Sequence, residues 1–227
     1  MKIAISAETT CDLSKELIAE NNINLIPFAI TLGDKTFNDG EVTTKEMFDF
    51  VDKTGTLPKT TALNEYEYAE YFNSLLKEND AVIHICLSSG LSSSCGNAIR
   101  AASNLENVYV VDSQNLSTGI GLSVLYACKL VKAGLTASEI AKMVQDRVNK
   151  IQASFVVERL DYLYKGGRCS SLAMFGANVF KIRPRIVVKD GKMTSDKKFR
   201  GNMGSVIEKY GASLMEEFPL LMEGLFL

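Results

Sequence analysis

Apolar and polar positions follow two rhythms along this chain, one of period two and one of helical period. Residues 2–6 form a short apolar strand that breaks into the hydroxyl-rich turn Ala7-Glu8-Thr9-Thr10-Cys11-Asp12. Asp12 stands where an N-cap is needed, and Leu13, Leu17 and Ile18 give the helix after it one apolar face. Residues 23–32 are rich in Ile, Leu and Phe and read as one strand, with Phe28, Ile30 and Leu32 alternating onto one face. Gly33-Asp34-Lys35 then turns the chain. Thr43-Thr44-Lys45-Glu46 has capping-box spacing before a helix over residues 47–51. Residues 58–63 read as a loop, and Asn64 caps a helix through Leu76.

The strongest strand is residues 81–87, apolar at almost every position, as expected of a strand buried on both faces in a parallel sheet. It runs into Ser88-Ser89-Gly90-Leu91-Ser92-Ser93-Ser94 and a helix to about Ala102. The pattern repeats from Val108, through Asp112-Ser113-Gln114-Asn115-Leu116-Ser117-Thr118-Gly119, into a helix to about Lys132. A second capping box, Thr136-Ala137-Ser138-Glu139, opens a helix to about Lys150. Strand, polar turn and helix in repetition predict an α/β domain over residues 1–150, with a mainly parallel sheet flanked by helices. Beyond residue 151 the grammar changes. Residues 154–157 can form a strand, Lys165-Gly166-Gly167-Arg168 is a break, and residues 172–182 are apolar. Asp190-Gly191 between residues 185–188 and 192–195 is a hairpin signal. A smaller α/β domain with antiparallel pairing is therefore expected over residues 151–227.

Composition narrows the function classes. At 227 residues the chain is generous for one compact unit and lean for two. With 46% hydrophobic and 23% charged residues it is an ordinary globular composition. Lys and Arg total 25 against 27 Asp and Glu, so no strong basic field favours nucleic acid. No apolar run is long enough for a membrane span, and an acid at Glu8 interrupts any signal-peptide core. The five cysteines are scattered without a CxxC pair, which points to reduced thiols in the cytoplasm. A zinc site is not expected from such spacing, and His84, the single histidine, reads as core packing.

Candidate chemistry lies in the polar loops. Hydroxyls concentrate at Thr9 and Thr10, at Thr60 and Thr61, over residues 88–94, and at Ser113, Ser117 and Thr118. Loops leaving the carboxyl ends of parallel strands meet beside helix N-termini, where backbone N–H groups and neutral hydroxyls favour a small anion. Gly90-Leu91-Ser92 is half of a nucleophile elbow without its second glycine, and His84 lies behind that loop, so a serine hydrolase is not expected. Neither GxGxxG nor GxxxxGK[ST] occurs.

The ordered set of motifs resembles the DegV family over roughly residues 2–210. It comprises Ser88-Ser89-Gly90-Leu91-Ser92, Val111-Asp112-Ser113 with Ser117 and Gly119-Ile120-Gly121, and Leu163-Tyr164-Lys165-Gly166-Gly167-Arg168. Ile182-Arg183-Pro184, Asp190-Gly191-Lys192 and Lys198-Phe199-Arg200 complete it. The resemblance implies a bacterial cytosolic protein that binds one long-chain fatty acid, mainly between its two domains, without a cofactor or catalysis of its own. It implies further that the carboxylate is presented to a separate fatty acid kinase, which forms an acyl phosphate from ATP. The family's carboxylate-binding threonine falls on Thr60, its neighbouring serine on Thr61, and the serine after Ser-Ser-Gly-Leu on Ser92. The arginine associated with the kinase falls on Arg200. Candidate acyl contacts are Phe28, Ile30, Leu172, Phe175 and Phe180. This sequence departs from the pattern at Glu8-Thr9-Thr10, Ala62-Leu63 and Ser93-Ser94. It also stops short of the family's C-terminal strands, so the second domain is expected to be incomplete. Two other readings stay open: an enzyme for a small anionic substrate clamped by Arg168 or Arg200, and a shortened homologue that binds no lipid.

Overall fold

A computed structural model describes residues 1–171 and 182–219. The chain divides into two units, Met1–Ile151 and Gln152–Leu227. In the first, strands β1 (Ile3–Glu8), β2 (Asn24–Ile26), β6 (Ala81–Cys86) and β7 (Val108–Asp112) form a parallel sheet of order β2-β1-β6-β7. Its helices are α3 (Glu65–Leu76), α4 (Ser94–Ala102), α5 (Thr118–Lys132) and α6 (Ala137–Arg147). All six residues of β6 are buried because it is an inner strand covered on both faces. Successive side chains alternate between those faces. Ile5, Ala7, Ile83, Ile85 and Val111 pack with Ile120, Val124, Ile140 and Val144 of α5 and α6. Ala4, Val82 and Cys86 pack with Tyr68, Phe72, Cys95 and Ala98 of α3 and α4.

The same unit holds a second sheet, order β4-β3-β5, built from β3 (Ala29–Leu32), β4 (Lys35–Asn38) and β5 (Lys59–Thr61), all antiparallel. The single strand expected over residues 23–32 is thus two strands in two sheets. Pro27 lies between them; it has no N–H for a ladder bond, and the chain changes partners there. The expected loop over residues 58–63 contains β5. Its three exposed residues, Lys59-Thr60-Thr61, have no apolar alternation to signal a strand, and pairing to β3 supplies the geometry.

Local caps follow the sequence closely. Thr43 before α2 (Thr44–Thr54), Asn64 before α3 and Thr136 before α6 all form capping boxes, with Glu46, Glu67 and Glu139. Asp12 does not cap α1 (Lys15–Glu20). A 3-10 turn at Thr9–Cys11 comes first, leaving Asp12 left-handed at φ 50°, and Ser14 takes the cap by accepting from Leu17 N–H at 3.3 Å. A Cβ at Gly119 would collide with the Asn115 side chain, which accounts for glycine at the entry to α5.

The second unit has an antiparallel sheet of order β10-β9-β8, from β8 (Ala153–Val156), β9 (Ile182–Lys189) and β10 (Lys192–Arg200). Asp190 and Gly191 turn β9 into β10 with φ 49° and 73°, the left-handed pair such a hairpin needs. Helices α7 (Asp161–Lys165) and α8 (Met203–Glu217) complete its described elements. Arg185, 4% exposed, donates to Asp196 Oδ1 at 2.8 Å and to Glu217 Oε2 at 2.9 Å. No helix among the described residues is long and apolar enough to cross a membrane.

Candidate functional site

Because β1, β6 and β7 are parallel, their carboxyl ends share one edge of the sheet, and the polar loops leave from it. The loop between β6 and α4 is braced from within. The Ser88 carbonyl accepts Leu91 and Ser92 N–H at 3.0 and 3.1 Å, and its Oγ accepts Gly90 N–H at 3.1 Å. Ser89 Oγ donates to Asp112 Oδ2 at 2.5 Å, and its N–H donates to Oδ1 at 3.2 Å. Ser113 Oγ donates to the Asn115 carbonyl at 3.3 Å and accepts Asn115 N–H at 3.1 Å. Thr9 Oγ1 donates to Asp39 Oδ2 at 2.6 Å. Much of the hydroxyl enrichment therefore holds loops in shape.

Ser92 is different. It is partly exposed, and its Oγ accepts Ser94 N–H at 3.2 Å, which leaves its own proton to donate outward. Ser93, at the N-cap of α4, makes no side-chain cap. At the next residue, Ser94 Oγ accepts Leu63 N–H at 3.2 Å, and Asn97 Nδ2 donates to the Leu63 carbonyl at 2.6 Å. Leu63 lies two residues beyond Thr61, so α4 staples the Thr60-Thr61 segment beside the Ser92 loop.

Thr60 and Thr61 are exposed, and as strand neighbours they project from opposite faces of β5. Register places Thr60 opposite Ile30, and Ile30 opposite Phe37 on its other side, so these three share one face. Thr61 shares the other face with Ala29 and Asn38. Phe28 and Ile30 are buried. Leu172, Phe175 and Phe180 lie outside the described residues. In the second unit Arg200 is exposed at the end of β10, and Arg168 folds back to donate to the Gly166 carbonyl at 2.6 Å.

The α3/α4 face of the sheet also carries a buried polar cluster. Glu8, at the end of β1, accepts Tyr68 Oη on Oε1 at 2.7 Å and Leu87 N–H on Oε2 at 2.8 Å. His84 Nε2 faces the same Oε1 at 3.5 Å, while its Nδ1 pairs with Ser6 Oγ at 2.6 Å. Glu8, His84, Ser6 and Tyr68 are fully buried. Burial alone raises the Glu8 pKa, but the hydrogen bond and charge of His84, with the Tyr68 and Leu87 donors, outweigh it and hold the carboxyl below its ordinary value. Burial, then the Glu8 charge, pushes the Tyr68 phenol up. Burial also raises Tyr71, to about 12. Glu8, His84 and Cys86 bring three potential metal-ligating atoms within 4.8 Å of one another; Tyr68 and Leu87 already engage both Glu8 oxygens, so hydrogen bonding accounts for the grouping. Leu87, where the serine loop begins, is thus held by Glu8. The sequence carries a signal for this cluster: Ser6 with Glu8, and His84 with Cys86, are polar residues at alternate positions of otherwise apolar strands.

Comparison with known proteins gives a consistent result. The family model of the DegV family matches residues 2–214. A DegV domain-containing protein of Clostridium perfringens is 32% identical over 220 residues, spanning 96% of this chain and 77% of that one. Another, from Caldanaerobacter subterraneus, is 31% identical over 207 residues, spanning 90% of this chain and 74% of the relative. Among solved structures, DegV of Bacillus subtilis, described as a fatty acid binding protein, superposes with a TM-score of 0.81 at 28% identity, covering 95% of this chain and 77% of that one. A Thermus thermophilus DegV family protein, described by its fatty acid binding, superposes with a TM-score of 0.83 at 25% identity, covering 93% and 78%. The chain belongs to the DegV family.

Proposed function

We propose that this DegV-family chain binds one long-chain fatty acid, its carboxylate held by Thr60 and Ser92 and its tail leaving along the face that carries Ile30 and Phe37. The observation that carries the reading is the staple from Ser94 and Asn97 to Leu63, which keeps two hydroxyl-bearing segments from distant parts of the sequence side by side. The first turn of α4, which Ser93 leaves uncapped, adds backbone donors suited to an anion beyond the Ser94 N–H that Ser92 takes. Register favours Thr60 over Thr61, since only Thr60 shares a face with Ile30. The fatty acid binding ascribed to the Bacillus subtilis and Thermus thermophilus relatives supports the same ligand class.

The energetics fit a polar head site of modest strength. At about 0.8 kcal/mol per methylene, burying about fourteen of them contributes roughly 11 kcal/mol, so the tail supplies affinity and the hydroxyls supply orientation. The chain is proposed to carry its ligand without catalysis of its own and to present the carboxylate to a partner kinase, with the exposed Arg200 as the contact candidate.

Denaturing the purified protein, extracting it and analysing the extract by mass spectrometry tests the ligand. A stoichiometric long-chain acid is expected, before or after incubation with oleate; its consistent absence would overturn the reading. Thr60→Ala and Ser92→Ala should each weaken oleate binding by roughly three- to tenfold, the size of one hydrogen bond, and Thr61→Ala should leave it within about twofold. Equal losses at Thr60 and Thr61 would remove the register argument.

A further inference from the structure

One carboxylate reaches both halves of the head-group site. Through Oε2, Glu8 holds Leu87 N–H, the start of the loop that carries Ser92. Through Oε1 it accepts Tyr68 Oη, and Tyr68, in the first turn of α3, donates its N–H at 3.2 Å to the carbonyl of Asn64, three residues beyond Thr61. The chain of contacts therefore runs from the Thr60 segment through Asn64, Tyr68 and Glu8 to Leu87. Its two polar side chains, Glu8 at the end of β1 and Tyr68 in the first turn of α3, are not among the candidate ligand contacts.

We propose that Glu8 is a positioning residue for the fatty acid carboxylate: it sets the spacing between Ser92 and Thr60 by holding Leu87 and Tyr68 at once. The proposal rests on the reading of Thr60 and Ser92 as the head-group site. A glutamate suits this role for two reasons. Its charge strengthens both hydrogen bonds, and its two oxygens accept from donors that arrive on different elements. His84 on β6 and Tyr68 on α3 face it directly, Cys86, Tyr71 and Cys11 feel its charge, and no lysine or arginine among the described residues is paired with it.

The test compares oleate with oleyl alcohol, which has the same tail and no carboxylate, on the full chain. Tyr68→Phe deletes one oxygen and cuts the arm toward Thr60; oleate affinity should fall roughly tenfold while oleyl alcohol stays within about twofold. Glu8→Gln keeps an acceptor for Leu87 N–H but loses the charge and reverses the Tyr68 bond, so it should lower oleate affinity about threefold, a smaller loss than Tyr68→Phe, and leave oleyl alcohol unchanged. Adding Tyr68→Phe to Ser92→Ala should cost less than the product of the two separate effects, because both act on one site. An equal loss of oleate and oleyl alcohol in Tyr68→Phe would reduce the cluster to a packing role and overturn the proposal, as would unchanged oleate binding. A natural chain that binds no oleate at all would overturn the head-group reading itself, a result read before any variant is made.

Discussion

The two faces of the parallel sheet are built from the same strands and do different work. Toward α5 and α6, the alternate residues Ile5, Ala7, Ile83, Ile85 and Val111 are apolar and make a dry core. Toward α3 and α4, the positions between them carry Ser6, Glu8, His84 and Cys86, all fully buried. Burying such groups costs free energy unless they are hydrogen-bonded; Ser6 and His84 bond each other, and Glu8 bonds Tyr68 of α3 and Leu87 at the start of the Ser92 loop. Both faces bury apolar side chains, and the α3/α4 face adds polar groups whose bonds tie its loops together.

The largest expected effect breaks the dry face. Ile85→Ala should cost about 2–5 kcal/mol in urea-induced unfolding, from lost burial and the cavity left behind, and should leave the preference for oleate over oleyl alcohol unchanged. A changed preference would show that the two faces are not separable.

An intermediate effect comes from acid. The Glu8 carboxyl is held below its ordinary value of 4.5, so its contribution to stability is complete above that pH and is lost as pH falls through the lower folded value. Glu8→Gln should flatten this part of the acid unfolding profile of the first unit. The second unit has its own acid-sensitive group. Glu217, beside Lys197, Ser213 and Arg185, is lowered from 4.5 to about 2, so its contribution is lost across that window and Glu8→Gln should not alter it. Acid profiles followed by amide exchange in each unit would check both; identical flattening in the two units would contradict the assignment.

The smallest effect sharpens the contrast. Thr136→Ala, which removes the cap of α6 behind the dry face, should cost about 1 kcal/mol by chemical denaturation without altering oleate affinity. Asn64→Ala should cost about as much and also weaken oleate binding, because α3 starts where the Thr60 segment ends. Equal oleate affinity in the two variants would detach the cap of α3 from the site.

Much of the fold was legible because its determinants are local. The capping boxes at Thr43 and Thr136 need residues three apart, the Asp190-Gly191 hairpin needs two adjacent left-handed residues, and the buried strand at Ala81–Cys86 announces itself by unbroken apolar character. Short elements were less legible. Lys59–Thr61 is a strand because β3 offers it a ladder, and Asn24–Ile26 leaves its apparent continuation because Pro27 interrupts the ladder. Ser92 and Thr60 could be singled out as hydroxyl donors through family resemblance, but Ser88, Ser89, Ser94 and Ser113 look the same in sequence and turn out to brace loops.

By itself the sequence determined the α/β alternation, the capping boxes at Thr43 and Thr136, the inner strand and the family to which the chain belongs, since each rests on spacing or on motif order. Only the tertiary structure decided which hydroxyls remain available, which face of β5 Thr60 shares with Ile30, and that Glu8 meets Tyr68, His84 and Leu87. Those facts depend on strand register and on partners some sixty to eighty positions apart. Hydrophobic periodicity says which residues are buried, and it carries no information about which buried polar groups will meet.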